Sequence, residues 1–137
     1  MYADRGISLS CILAPVFLLT AGSSLYYLLE ILLRGFSHWT MAVCGGRCLV
    51  AIYYMNQCLS GEALLLRALL GAVIITAVEL LAGCLLNLGL GLDIWDYSEH
   101  VGNLWGQISL YASLRWFLLC VPVCVGCSLL EKYVFIP

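Results

Sequence analysis

The chain has 137 residues, of which 64% are apolar and only 10% charged, with a mean hydropathy of +1.03 and a formal net charge of −2. A soluble domain could not be covered by so little polar surface, so the composition places the protein in a lipid bilayer. Continuous apolar runs exclude a transmembrane β-barrel, whose strands alternate, and the lack of a basic tract excludes nucleic acid as a partner.

At about 20 residues per crossing, this length holds about four helices, and the expected fold is an all-α integral membrane protein, a small bundle forming a single transmembrane domain over residues 1–137. The polar start MYADRG leads into an apolar run too long for a secretory signal, so the first helix, about 7–33, is expected to remain as an anchor. Pro15 and the Gly22-Ser23-Ser24 cluster within it mark bends or close-packing points. Helix two, about 39–58, is interrupted by Gly45, Gly46 and Arg47, and either spans or re-enters. Helix three, about 68–92, contains Glu79 and Asn87, and its Gly71, Gly83, Gly89 and Gly91 allow neighbouring backbones to approach.

Next comes an acidic loop, 93–102, within the stretch LDIWDYSEHVGN, where Asp93, Asp96 and Glu99 are interleaved with Trp95 and Tyr97. Helix four, about 103–130, carries Arg115 and a kink at Pro122. Four crossings put both termini on one side. Arg5, Arg67 and Lys132 flank that side and only Arg34 the other, which predicts cytoplasmic termini and an outer acidic loop. Aromatic residues follow the same topology, with Trp39, Trp95, Tyr97 and Trp105 at the outer interface and Tyr53, Tyr54 and Tyr133 at the inner one.

Ionisable groups in hydrocarbon require a partner, a wet cavity or neutralisation. Glu30, Arg34 and His38 follow one another at spacings of four, which predicts an ion pair stacked on one face at the outer end of helix one, either an interfacial brace or an ion site. Glu79 falls near mid-depth, where Arg115 and Arg47 are the candidate bases. That set reads either as an ion pair pinning helices three and four or as a substrate or proton site. Glu79, Gly83 and Asn87 align at spacings of four on helix three, as do Asn103, Gln107 and Tyr111 on helix four. Facing each other, these rows form a polar seam, either interhelical glue or the wall of a narrow passage.

The eight cysteines lie in or beside apolar runs, where they read as reduced apolar fillers instead of a disulfide framework. Thiolates form poorly there, which disfavours a soft metal. The sequence has no nucleophile motif, phosphate loop or histidine-rich set. No catalytic residue, metal or cofactor is expected, and the protein is not expected to be an enzyme.

The stretches RGFSHWTMAVCGG (34–46), LLGAVIITAVELLAGCLLNLGLGLDIWDYS (69–98) and GNLWGQISLYASLRWF (102–117) resemble the bacterial family of ABC-transporter type IV, or CmpB-like, permeases. The shared pattern is an ExxxGxxxN helix, then WDYS, then NxxGQ. It covers Arg34, His38, Trp39, Gly45, Gly46, Glu79, Gly83, Asn87, Trp95, Asp96, Tyr97, Ser98, Asn103, Gly106, Gln107 and Trp116. Arg47 and the Glu99-His100-Val101 segment depart from it. The resemblance implies a multi-pass, permease-like protein of the bacterial inner membrane and names no substrate.

The expected function is thus that of a small permease-like membrane protein with a polar path running from Asp96, Tyr97, Ser98 and Asn103 past Asn87 and Gln107 to Glu79 and Arg115. The alternative is a structural or regulatory membrane subunit without transport of its own. The connection from Leu59 to Arg67 is short for a docking helix, so the expected partners besides lipid are further copies of the chain or another membrane subunit.

Overall fold

The computed structural model describes the backbone of residues 3–135 and side chains from Cys11 onward; the side chain of Arg5, used above for topology, lies outside the described residues. Among the described residues there are four α-helices: α1 (Ala3–Arg34), α2 (Trp39–Cys58), α3 (Leu64–Gly83) and α4 (Leu110–Leu130). α3 runs on through a wider π-helical turn, Cys84–Gly89, and α4 through another, Glu131–Phe135. Three stretches are long and apolar enough to cross a membrane: Cys11–Arg34, Leu64–Gly89 and Leu110–Phe135. α2, with Gly45, Gly46 and Arg47 inside its 20 residues, is not among them.

The chain divides into two compact units, one made of the described residues up to Ala51 and from Leu129 on, the other of Ile52–Ser128. In the first, Ala14, Leu18, Gly22 and Glu30 form a buried row along α1, four residues apart with half-buried Tyr26 between the last two. Small residues let α2 reach it. A Cβ on Gly45 would stand 2.6 Å from Tyr26 Cβ, one on Gly22 would stand 2.8 Å from Leu49 Cβ, and one on Gly46 would collide with Ser23 Oγ. The glycines that weaken helix two in the sequence are therefore its contact with α1. Arg47 is exposed.

α1 ends where Gly35 takes φ +80°, a left-handed conformation that closes the helix through Gly35 N–H to Ile31 C=O at 2.9 Å. His38 consequently leaves the face of Glu30 and Arg34 and caps α2 instead. Its carbonyl accepts from Met41 N–H at 2.9 Å, and its Nδ1 meets Thr40 Oγ1 at 2.6 Å. The expected three-residue stack is thus an Arg34–Glu30 pair at 3.4 Å. The Glu30 carboxylate is further bound by Tyr26 Oη at 3.0 Å and Ser37 Oγ at 2.8 Å.

In the second unit, Ile52, Ala68, Cys120 and Cys124 form the core, backed by Met55, Leu64, Ile74, Ile75, Phe117 and Val121. α3 and α4 meet closely here, since a Cβ on Gly71 would stand 2.9 Å from Cys120 Sγ. Cys120, Cys124 and Cys127 here, and Cys48 in the first unit, are buried, form no disulfide and act as small apolar fillers. Tyr53, expected at an interface, is 2% exposed and accepts a hydrogen bond from Gln57 Nε2 at 2.6 Å.

Several helix boundaries differ from the sequence expectation, among them the start of helix one at Ala3 and the end of helix three at Gly89, and two more bear on the site. α3 begins at Leu64 instead of 68, which brings Arg67 into its first turns. α4 begins at Leu110 instead of 103, because Ser109 caps it: Ser109 Oγ accepts from Ala112 N–H at 3.0 Å. Asn103 and Gln107 are therefore loop residues, and the Asn103-Gln107-Tyr111 row on a helix face does not exist.

Candidate functional site

The loop between α3 and α4 is built from backbone turns that ordinary side chains resist. Gly91, Gly102 and Gly106 have φ +66°, +69° and +71°, and Asp93 and Trp105 also take positive φ, 47° and 53°. These turns fold the chain back on itself. Tyr97 N–H donates to Gly106 C=O at 2.7 Å, and Leu104 pairs with Ile108 as an isolated antiparallel bridge. Asp96 Oδ1 accepts from Ser98 N–H at 2.8 Å. Asn103 Nδ2 donates to the carbonyls of Ser98 and His100 at 3.1 and 3.0 Å, and Asn103 Oδ1 accepts from Gly106 N–H at 3.2 Å. Asp96 is exposed, and its carboxyl lies below the usual carboxylate range because the Ser98 backbone N–H and hydroxyl bind the charged form.

The folded loop lies against the end of α3. Asn87 is 6% exposed, and both polar atoms of its amide are hydrogen-bonded. Its Nδ2 donates to Trp95 C=O at 3.0 Å and to Gln107 Oε1 at 2.9 Å, while its Oδ1 accepts from Ile94 N–H at 2.7 Å. Gln107, 4% exposed, also donates through Nε2 to Trp105 C=O at 2.9 Å. Trp95 is buried, and its indole Nε1 donates to Gln107 C=O at 2.9 Å. Gly83 makes room for Gln107, since a Cβ there would stand 2.5 Å from Gln107 Oε1. The π-helical turn at Cys84–Gly89 rotates Asn87 away from ideal α-helical register with Gly83, as such turns commonly do at specialised sites.

Eight residues before Asn87, about two turns deeper, lies Glu79, 6% exposed, about 22 Å along a span of about 39 Å at the usual helical rise. Tyr97 Oη donates to Glu79 Oε1 at 2.8 Å, and Trp116 Nε1 on α4 donates to Oε2 at 3.1 Å. The expected pair with Arg115 does not form. Arg115 is exposed on α4, its guanidinium 5.1 Å above the Tyr111 ring, and Tyr111 in turn stacks on His100 at 5.7 Å. Hydrogen bonds to a buried carboxylate are each worth about 1.5–3 kcal/mol, and these two help offset the cost of burying it.

The structure thus brings together Glu79, Asn87, Tyr97 and Gln107, holds Asp96, Ser98 and Asn103 in the loop above them, and leaves Arg115 outside. Sequence reasoning missed Trp116 as a partner of Glu79. Its signal is a ring with a hydrogen-bond donor, four residues after buried Ala112 and four before buried Cys120 on the face of α4 turned to the core.

Three apolar spans with a loop folded back onto polar groups inside the helices define a multi-pass α-helical membrane protein. The chain belongs to the family described as "Putative ABC-transporter type IV", whose profile matches residues 17–134. No curated protein and no solved structure matches the chain.

Proposed function

We propose that the protein is an accessory membrane subunit whose α3–α4 loop is locked into the helices as a re-entrant cap, and that the polar seam serves this lock instead of conducting a solute. The observation that carries the reading is the mutual satisfaction of Asn87, Gln107 and Trp95: each polar group available to line a passage is already bound to another group of the loop or of α3. Non-helical backbone at membrane depth is tolerated only when protein covers it, and these side chains supply that cover.

In this reading the chain crosses the bacterial inner membrane four times, α2 included, with cytoplasmic termini, as the placement of Arg67 and Lys132 opposite Arg34 favours. It performs no catalysis and holds no cofactor. It works with further copies of itself or with another membrane subunit, a role that fits a transporter family.

The test is amide exchange of the intact protein in lipid nanodiscs together with ion flux from proteoliposomes. A lock requires Ile94 and Tyr97 amides to exchange as slowly as those of mid-α3, and Glu79→Gln to lower the thermal midpoint. Rapid exchange at Ile94 in the folded protein, or a potassium or proton flux abolished by Glu79→Gln at an unchanged midpoint, would overturn the reading in favour of a conducting path.

A further inference from the structure

α2 turns one face away from the chain. Its exposed residues are Trp39, Val43, Arg47, Ala51, Tyr54 and Cys58, spaced by four, four, four, three and four, so they form a single stripe along the helix. The other side is in use, since Gly45 and Gly46 are packed against Tyr26 and Ser23 of α1, and Met41 and Cys48 are buried.

Arg47 sits in the middle of that stripe. The 20 residues of α2 make about 30 Å of helix, the hydrocarbon thickness of a bilayer, and Arg47 stands about 12 Å from Trp39 and about 16 Å from Cys58. Both distances exceed the reach of an arginine side chain, so snorkelling alone does not bring the charge to a headgroup. Among the described residues Arg47 makes no ion pair and no hydrogen bond. α2 is moreover not among the helices apolar enough to cross lipid unaided. A permanent charge exposed at mid-depth is costly against hydrocarbon, whereas a carboxylate meets its planar fork with two oxygens.

A second copy has no such carboxylate to offer. Among the described residues Glu30 and Glu79 are buried and hydrogen-bonded, and the other acids lie beyond the ends of the α-helices: Glu62 after α2, three in the α3–α4 loop, and Glu131 past α4. A twofold axis beside α2 would also set two Arg47 at one depth, like charge against like.

We propose that this stripe of α2 is the docking face for a transmembrane helix of a different membrane protein, one that carries an aspartate or glutamate near mid-bilayer to pair with Arg47. The proposal deepens the accessory-subunit reading, on which it rests for the crossing of α2.

The experiment places the full chain in phosphatidylcholine vesicles at mildly alkaline pH with labelled polyleucine peptides of bilayer length. The peptides differ only in one central residue, glutamate, leucine or lysine, and are used at densities where each alone stays monomeric. Energy transfer should show association about tenfold tighter for the glutamate peptide than for the leucine one, with lysine weakest. Arg47→Leu should remove the preference, and Arg47→Glu should reverse it in favour of lysine. Because Arg47 is exposed and unpaired within the described chain, Arg47→Leu should keep or raise the thermal midpoint.

Equal association of the three peptides would overturn the proposal, as would a preference that survives Arg47→Leu. A preference lost when phosphatidylglycerol replaces phosphatidylcholine would give Arg47 to lipid phosphate instead, and a dimer of the chain that Arg47→Leu abolishes would give the face to a second copy. A midpoint of Arg47→Leu well below that of the unmodified protein would make Arg47 part of the chain's own fold, which overturns it too. Loop exchange separates this failure from that of the accessory reading: equal peptide binding with slow Ile94 exchange strikes the partner alone, while rapid Ile94 exchange strikes the locked cap whatever the peptides do.

Discussion

Replacing Asn87 with leucine tests the lock at its most connected residue. The side chain keeps nearly the same shape, so little packing changes, but Ile94 N–H loses its acceptor at 2.7 Å and the oxygens of Trp95 and Gln107 each lose a donor. An orphaned buried donor costs about 1–3 kcal/mol, and two carbonyl-type oxygens with other lone pairs add less, so about 2–4 kcal/mol should be lost in all. That loss falls on opening of the loop more than on unfolding of α3, because the partners are loop groups. Exchange of Ile94, Trp95 and Tyr97 amides should accelerate about 30- to 700-fold, at roughly tenfold per 1.4 kcal/mol. Mid-α3 amides such as Ile75 should change little. If the loop amides of Asn87→Leu exchange at the original rate, Asn87 does not hold the loop and the reasoning fails.

Three further perturbations probe the same assembly. Gly83→Ala places a Cβ 2.5 Å from Gln107 Oε1 and 2.8 Å from its Cβ, so it should destabilise the loop by about 1–3 kcal/mol, read as a lowered thermal midpoint; an unchanged midpoint would contradict the close fit. Tyr97→Phe removes a donor from the buried Glu79 carboxylate and should cost about 1.5–3 kcal/mol, and Glu79→Gln combined with it should cost less than the two single changes summed, a non-additivity that a double-mutant cycle measures. Because the Asp96 carboxyl lies below its ordinary range through the Ser98 backbone N–H, then the Ser98 hydroxyl, the Asx turn is intact above the ordinary carboxylate value and lost as pH falls through the lower folded one. The Ser98 amide resonance should therefore titrate with a midpoint below about 3.9, and a midpoint at or above that value would refute the hydrogen bond as its cause.

The helices were legible because apolar runs of bilayer length and a capping position announce themselves: α2 starts and stops where its run does, at Trp39 and Cys58. Their polar ends were less legible. Nothing in the Asn103 to Ser109 segment breaks its helical spacing except Gly106, so Gln107 reads as one turn above Tyr111, whereas the positive φ of Trp105 and Gly106 and the Ser109 cap place it in the loop. The membership of the site was still readable, since Glu79, Asn87 and Gln107 are polar residues in or beside apolar sequence and must find partners wherever the backbone goes. The identity of those partners was not. Charge suggested Arg115 for Glu79, whereas the carboxylate accepts hydrogen bonds from Tyr97 and Trp116.

The three motifs of the family resemblance lie within residues 79–107, and the geometry joins them. ExxxGxxxN provides the wall: Glu79 to bind Tyr97, Gly83 to admit Gln107 and Asn87 to hold Ile94, Trp95 and Gln107. WDYS provides the buried indole, the Asx turn and the phenol that descends to Glu79, while NxxGQ ties the loop to itself through Asn103 and sends Gln107 back to the wall. Change at any one of these positions orphans a partner contributed by another stretch, so each motif is a constraint on the other two. A solute path would instead need polar groups left free to exchange partners with a passing solute. In this seam the free polar surface lies outside, at Asp93, Glu99 and Arg115, which is the distribution expected of a closed cap.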